Sequence, residues 1–283
     1  MKLDTDDLSI KARRLADPAD VKGRRKLLND HGDPLGPAPT SMFVDIVGSK
    51  YPVPDWLITE NYEDETLGRV KSGKEGEVFL VERRSGNASC LLARKSYKDP
   101  DQRAFRRDQI YREGRKIRRS RDRRALELGT AYGNQVMASD WVGAEFDILR
   151  KIWIAGVRVP YPVSFEGGLL MQFLGDWEQA APRVMQVRFD KDEAEHVCEG
   201  IFEQVRRLAG CGLVHADLSA YNVLYWQEEV FLIDFPQSVE IPSNPHSIEL
   251  LTRDVTNICN HFAKYGCHRD VGHELGLALA NVY

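Results

Sequence analysis

The chain has 283 residues, a net charge of −4, 42% hydrophobic and 29% charged residues. That balance suits a globular chain with a large core and excludes a disordered, highly charged polymer, and no apolar run approaches the roughly 20 residues of a membrane helix. Five scattered cysteines without a CxxC pair argue against a disulfide framework or a zinc ribbon, and for reduced thiols in a cytoplasmic protein with no membrane association.

Residues 1–60 read as an N-terminal extension. The start, MKLDTDDLSI, is acidic and has no apolar h-region, so no secretory signal is expected. Asp7–Ala16 and Val21–Asn29 fit two short helices, His31–Thr40 a Gly/Pro-rich loop, and the prolines at 52 and 54 an extended stretch. The KGRRK run at 22–26 is read as a solvated helix face rather than a nucleic-acid contact. From 61 to 175 a strand-rich half is expected. Val70, Val78 and Leu80 mark two strands joined by Ser72-Gly73-Lys74-Glu75-Gly76. A glycine turn of this kind lets backbone N–H groups approach a phosphate. It matches neither GxGxxG nor a Walker loop, and a plain polar hairpin is the alternative. Leu91–Tyr97 reads as a third strand carrying Lys95.

A basic segment follows. Arg103 to Arg124 holds eleven Lys or Arg against three acids, a local excess of +8 that leaves −12 on the remainder. Too few apolar residues line one face to pack it as a helix. It reads as a flexible insert that could close over a nucleotide, contact RNA phosphates, or simply stay solvated. Ala138–Gly156 resumes helical spacing through Trp141, Phe146, Leu149, Ile152 and Trp153, and carries the acids Glu145 and Asp147. Gly168–Leu174 reads as a buried strand including Met171, Gln172 and Phe173, with a turn at Gly175-Asp176. From 176 a helical half is expected. Asp192–Gly210 is an amphipathic helix with the stripe Val197, Ile201, Val205 and Leu208. A last helix carries Leu250, Leu251, Val255, Ile258 and Phe262, and Asp254 on it could brace the loop 213–222 from below.

The informative stretch is Leu213–Asp234, LVHADLSAYNVLYWQEEVFLID. Asp217 precedes Asn222 by five residues, and a strand–turn–strand pattern (223–225, turn 227–229, 230–233) would fold Asp234 back beside Asn222. A carboxylate such as Asp217 can align a hydroxyl and accept its proton, while Asn222 and Asp234 offer the oxygen ligands that Mg²⁺ prefers. The bland alternative is a surface loop before an ordinary hairpin. The spacing resembles the HxDxxxxN catalytic loop and metal-binding Asp of protein kinases. By that resemblance Lys95 reaches the α- and β-phosphates of ATP, a helix carboxylate holds it (Glu145, with Asp147 and Glu127 as competitors), and Met171, Gln172 and Phe173 lie at the hinge that meets adenine. His215 reads as a loop-locking residue and not a base.

SGKEGEV (72–78), LVHADLSAYNVLY (213–225), LIDFPQSVE (232–240) and RDVTNICNHFAKYG (253–266) together resemble the RIO family of atypical serine/threonine protein kinases over about residues 65–270. HAD rather than HRD is a feature of that family, and the basic insert looks more like its first subfamily. FPQ after Asp234 is similar to the second, and Gln172 stands where the hinge often carries Glu. The resemblance implies an α+β, trimmed bilobal kinase-like fold. It implies ATP with Mg²⁺ (or Mn²⁺), and Ser72, Gly73 and Lys74 covering the phosphates. Asp217 and Asp234 would be catalytic, with Asn222 and Asp234 as metal ligands. Transfer of the ATP γ-phosphate to a Ser or Thr hydroxyl, autophosphorylation included, is the leading activity. An ATPase switch on a ribosomal particle through phospho-Asp234, with RNA contact at 103–124, is the alternative. A small-molecule phosphotransferase is disfavoured by the short stretch after Asp234.

Overall fold

The computed structural model describes residues 61–72, 76–97, 131–165, 167–280 and 282, with 131–141 as backbone alone. The expected elements within 1–60, the turn residues Gly73 and Lys74, the basic insert and Glu127 lie outside the described residues.

The chain order is β1 (Glu63–Ser72), β2 (Gly76–Ser85), β3 (Ala88–Tyr97), α1 (Ala131–Ile154), β4 (Pro162–Ser164) and β5 (Leu169–Gln172). These strands form one antiparallel sheet in the order β1-β2-β3-β5-β4. Alternation along β2 sends neighbours to opposite faces. Val81 joins Cys90, Leu92 and Leu170, with Trp153 of α1 packed against them, whereas Leu80 joins Leu67 with Phe173 and Trp177 on the other side. Gly76 matters at the start of β2. A Cβ there would collide with the Ser96 carbonyl oxygen of β3, so this glycine of the expected phosphate turn serves sheet contact.

α1 starts at Ala131, seven residues before the expected Ala138. AYGNQVM carries no apolar stripe, so its helicity left no periodic signal. Beyond Trp141, whose side chain lies outside the described residues, the stripe behaves as expected: Leu149 and Ile152 are buried, Phe146 and Trp153 pack on the core, and Gly156 ends the turn at φ +81°.

The second half holds a short 3₁₀ turn (Val184–Gln186), α2 (Lys191–Gly210), β6 (Leu213–Val214), β7 (Val223–Trp226), β8 (Glu229–Leu232), β9 (Val239–Glu240), α3 (Ser247–Ala263) and α4 (Val271–Leu279). Asp190 caps α2 reciprocally: its side chain accepts from the Glu193 N–H at 2.9 Å, and Glu193 accepts from the Asp190 N–H at 3.1 Å. The predicted α2 stripe is buried, together with Phe202 and Cys198, in a core shared with α3 and the buried face of α1. Each fully buried aliphatic or aromatic side chain there contributes about 1.5–3 kcal/mol. All five cysteines are free.

The β7–β8 turn is tighter than the expected 227–229. Glu229 pairs with Trp226, and only Gln227 and Glu228 turn, at φ +49° and +64°. Two consecutive positive-φ residues match the twist of a two-residue hairpin, which overrides the usual preference for glycine or asparagine. The result is the trimmed bilobal α+β arrangement of a protein kinase, with the strand-rich lobe above the helical one.

Candidate active site

The cleft between the lobes has a volume of about 660 Å³ and is lined from above by Val70, Ser72, Val78, Ala93 and Lys95, and from below by Met185, Leu224, Ile233 and Asp234. Strand alternation places Ala93 and Lys95 on the same face of β3. Lys95 Nζ lies 3.0 Å from Glu145 Oε1 and 2.6 Å from Asp234 Oδ1. Glu145 is therefore the helix acid that meets Lys95, and Asp147, exposed on α1, is not. Glu145 also accepts from the Phe235 N–H at 3.3 Å, so one buried carboxylate ties α1, β3 and the segment after β8 together.

The electrostatics follow from burial opposed by pairing. Burial would lower the Lys95 pKa, but Glu145 and then Asp234 hold it above the ordinary value, so the amine stays charged. Burial would raise Asp234, and Lys95 overrides it, bringing the carboxyl down to about 2. Glu145 remains above its usual range because burial outweighs Lys95.

The loop after β6 is held from underneath by α3. Asp254, buried in the helix, accepts from the Ala216 N–H at 2.7 Å and the Leu218 N–H at 2.9 Å. Arg253 donates to the Ala216 carbonyl, and Asn257 donates to the Leu218 carbonyl at 3.0 Å. Three helix side chains thus satisfy both polar groups of the residues flanking Asp217. Ala216 needs this, because it sits at φ +66°, which costs a non-glycine residue about 1–2 kcal/mol. Asp217 itself is exposed, and partial desolvation still raises its pKa. His215 is buried, shares a 3.0 Å hydrogen bond between Nε2 and the Ile233 carbonyl, and burial lowers its pKa. It joins the loop to β8, the locking role expected of it.

Asn222 Nδ2 donates to the Asp217 backbone carbonyl at 2.9 Å and to Asp217 Oδ2 at 3.2 Å. Its amide oxygen is left as the acceptor. The hairpin returns the chain so that the Ile233 N–H donates to the Asn222 carbonyl at 3.0 Å, and Asp234 follows at φ +75°. An amide oxygen beside an ionised carboxylate is a donor set that fits a hard divalent ion. Among the described residues no three His, Cys, Asp or Glu cluster in a ligating arrangement. Phosphate oxygens and water would complete such a shell.

Met171 and Phe173 both line the cleft, as does Gln172. The hinge reading needs one refinement. The Phe173 N–H donates to the Leu91 carbonyl at 3.3 Å, and the Gln172 N–H to the Tyr161 carbonyl at 2.8 Å, so these donors serve the sheet. The Gln172 side chain accepts from the Tyr161 N–H at 3.3 Å, which orients it along β4. Ser72 lines the cleft with its hydroxyl turned to Glu77 at 3.2 Å. Sequence reasoning missed Arg183 and Tyr221, both on the cleft wall. Arg183 lies in a Pro-containing link with no periodicity, so nothing in its neighbourhood announced it.

Comparison with known proteins agrees with this geometry. Residues 93–274 match the RIO domain family. The chain is 33% identical over 215 residues to the RIO-type serine/threonine-protein kinase Rio1 of Haloferax volcanii, covering 76% of this chain and 69% of that protein. It is 36% identical over 135 residues to Rio1 of Thermoplasma acidophilum, covering 46% and 67%. Against the human serine/threonine-protein kinase RIO3 it is 37% identical over 128 residues, 44% of this chain but only 24% of that longer protein. The domain match spans more than half of the chain and contains Lys95, the clamped loop and Asp234: the chain belongs to the RIO kinase family.

Proposed function

We propose that this protein is a RIO-type kinase that transfers the γ-phosphate of ATP to a Ser or Thr hydroxyl, its own included, with the lobes divided near residue 175. The observation that carries the reading is the 2.6 Å contact of Lys95 with Asp234, whose preceding residue Ile233 is hydrogen-bonded to Asn222. Asp217 aligns the acceptor hydroxyl and takes its proton at a carboxylate oxygen. Partial desolvation raises its pKa, which makes the carboxylate a stronger base. Lys95, kept charged by Glu145, holds phosphate oxygens, and Asn222 and Asp234 hold the divalent ion, read as Mg²⁺ with Mn²⁺ as a substitute. The bound ion would neutralise charge developing on the transferred phosphoryl group. Ser72, Gly73 and Lys74 are read as covering the phosphates, and Met171 and Phe173 as bordering the base.

The partner is a protein substrate or the chain itself. Contact of 103–124 with RNA or a ribosomal particle is supported by the excess of +8 in that segment. No helix among the described residues is long and apolar enough to cross a membrane.

The test uses purified protein with γ-labelled ATP and Mg²⁺, beside Asp217→Ala and Asp234→Ala. Acid-stable label that falls by about 10²–10⁴-fold in Asp217→Ala is the expected result. Hydroxylamine-labile label would move the reading to an acyl phosphate on Asp234. Wild type that neither takes label nor releases phosphate would overturn both.

A further inference from the structure

Arg183 lines the same cleft as Lys95, on the segment that leads into the helical lobe. Its backbone is fixed by the floor. The Arg183 N–H donates to Gln186 Oε1 at 3.0 Å, Arg183 bridges Leu224, and the preceding Pro182 carbonyl accepts from the Tyr225 N–H at 2.9 Å. None of these contacts uses the guanidinium. Among the described residues no carboxylate lies within ion-pair distance of it, in a molecule where Arg83, Arg84, Arg158, Arg206, Arg207 and Arg269 all have such a partner. It is nevertheless half-buried, and Asp234 and Tyr221 are the acidic groups close enough to act on it. Desolvating a cation without pairing it is costly. Such an arrangement is tolerated where an anion arrives to complete it.

The charge of the cleft points to which anion. Its lining carries three cations (Lys71, Lys95, Arg183) against two carboxylates (Glu145, Asp234). Lys95 is already matched by both acids. Lys71 and Arg183 carry the positive charge that remains, and Arg183 is close enough to Asp234 to feel its carboxylate. A planar guanidinium offers two parallel N–H donors to phosphate oxygens, which a lysine cannot.

We propose that Arg183 is a phosphate-binding residue that grips the polyphosphate of the nucleotide from the helical lobe, completing a two-sided clamp with Lys95. The inference rests on the nucleotide-binding reading of this cleft, and its test separates the two. Dissociation constants of ATP, ADP and adenosine are measured by calorimetry for wild type, Arg183→Met and Arg183→Lys, each checked for an unchanged melting temperature without nucleotide. Because the backbone contacts of Arg183 survive substitution, both variants should fold. Arg183→Met is expected to weaken ATP by about ten- to a hundredfold and adenosine by less than about twofold, with Arg183→Lys between wild type and Met. Equal ATP affinity in wild type and Arg183→Met would overturn the clamp and leave the nucleotide reading intact. An equal loss for ATP and adenosine would reassign Arg183 to packing of the cleft floor. Wild type that binds neither compound would remove the nucleotide reading, and the clamp with it.

Discussion

The two walls of the cleft hold their chemistry by different physics. On the strand-rich wall, Lys95 is positioned by charge: two carboxylates reach it from α1 and from the end of the β7–β8 hairpin. On the helical wall, Asp217 is positioned by backbone: side chains of α3, the buried Asp254 foremost, grip the peptide groups on either side of it and make no hydrogen bond to its carboxylate. The upper arrangement depends on where the lobes sit and on the protonation of Glu145. The lower one is internal to a single lobe and independent of the nucleotide. The proposed reaction would use both, Lys95 as a cation that follows phosphate and Asp217 as a base held in place.

The sharpest way to break this contrast is Asp254→Ala. It leaves two buried N–H groups unpaired and Ala216 unsupported at positive φ, so the expected loss is about 2–5 kcal/mol in denaturant unfolding together with loss of turnover. Unchanged stability would mean the clamp is not what holds the loop. Lys95→Met probes the other wall. Turnover should fall about a hundredfold or more. Stability should fall by up to about 3 kcal/mol at pH 8 and by less as pH drops. The sign follows from Glu145: burial already raises its pKa, and without Lys95 it rises further, so the folded state takes up a proton that the unfolded state releases. A stability loss that does not change with pH would contradict charge-based positioning.

The smallest effect concerns the far end of α3. His261 is 9% exposed, packed by Phe262 and Tyr265, and burial, aided by Lys264, pulls its pKa to about 4. A depressed folded-state value means its contribution is complete above about pH 6.5 and is lost as pH falls through 4. Wild type should therefore lose up to about 3 kcal/mol relative to His261→Phe over that window, read from paired denaturation curves. Parallel curves would show that the imidazole is not held neutral.

Much of the site was legible because it is written in short spacings. Asp217 and Asn222 lie five residues apart on one loop, and the apolar hairpin dictates that Asp234 returns beside them. Glu145 was legible only as one of three acids that the kinase resemblance offered, and the helix geometry now separates it from Asp147. Helical spacing turns Leu149 and Ile152 to the core, and four residues before Leu149 puts Glu145 on the same buried face, whereas Asp147 falls on the exposed one. Asp254 was legible as a support because it lies on a helix whose apolar stripe (Leu250, Leu251, Val255, Ile258) turns inward, and His215 because it follows the apolar pair Leu213-Val214.

Local order along the chain determined the strands, the helices with apolar stripes, and the catalytic spacing, since these depend on residues within a few turns of one another. Folding alone decided the rest. Arg183 faces the nucleotide cleft because Pro182 and Leu224 anchor its backbone, Phe173 loses its N–H to Leu91 across the sheet, and Ala216 takes a left-handed conformation because α3 compensates it. Those outcomes depend on groups brought together across tens of residues, and no periodicity records which distant partner a polar group will meet.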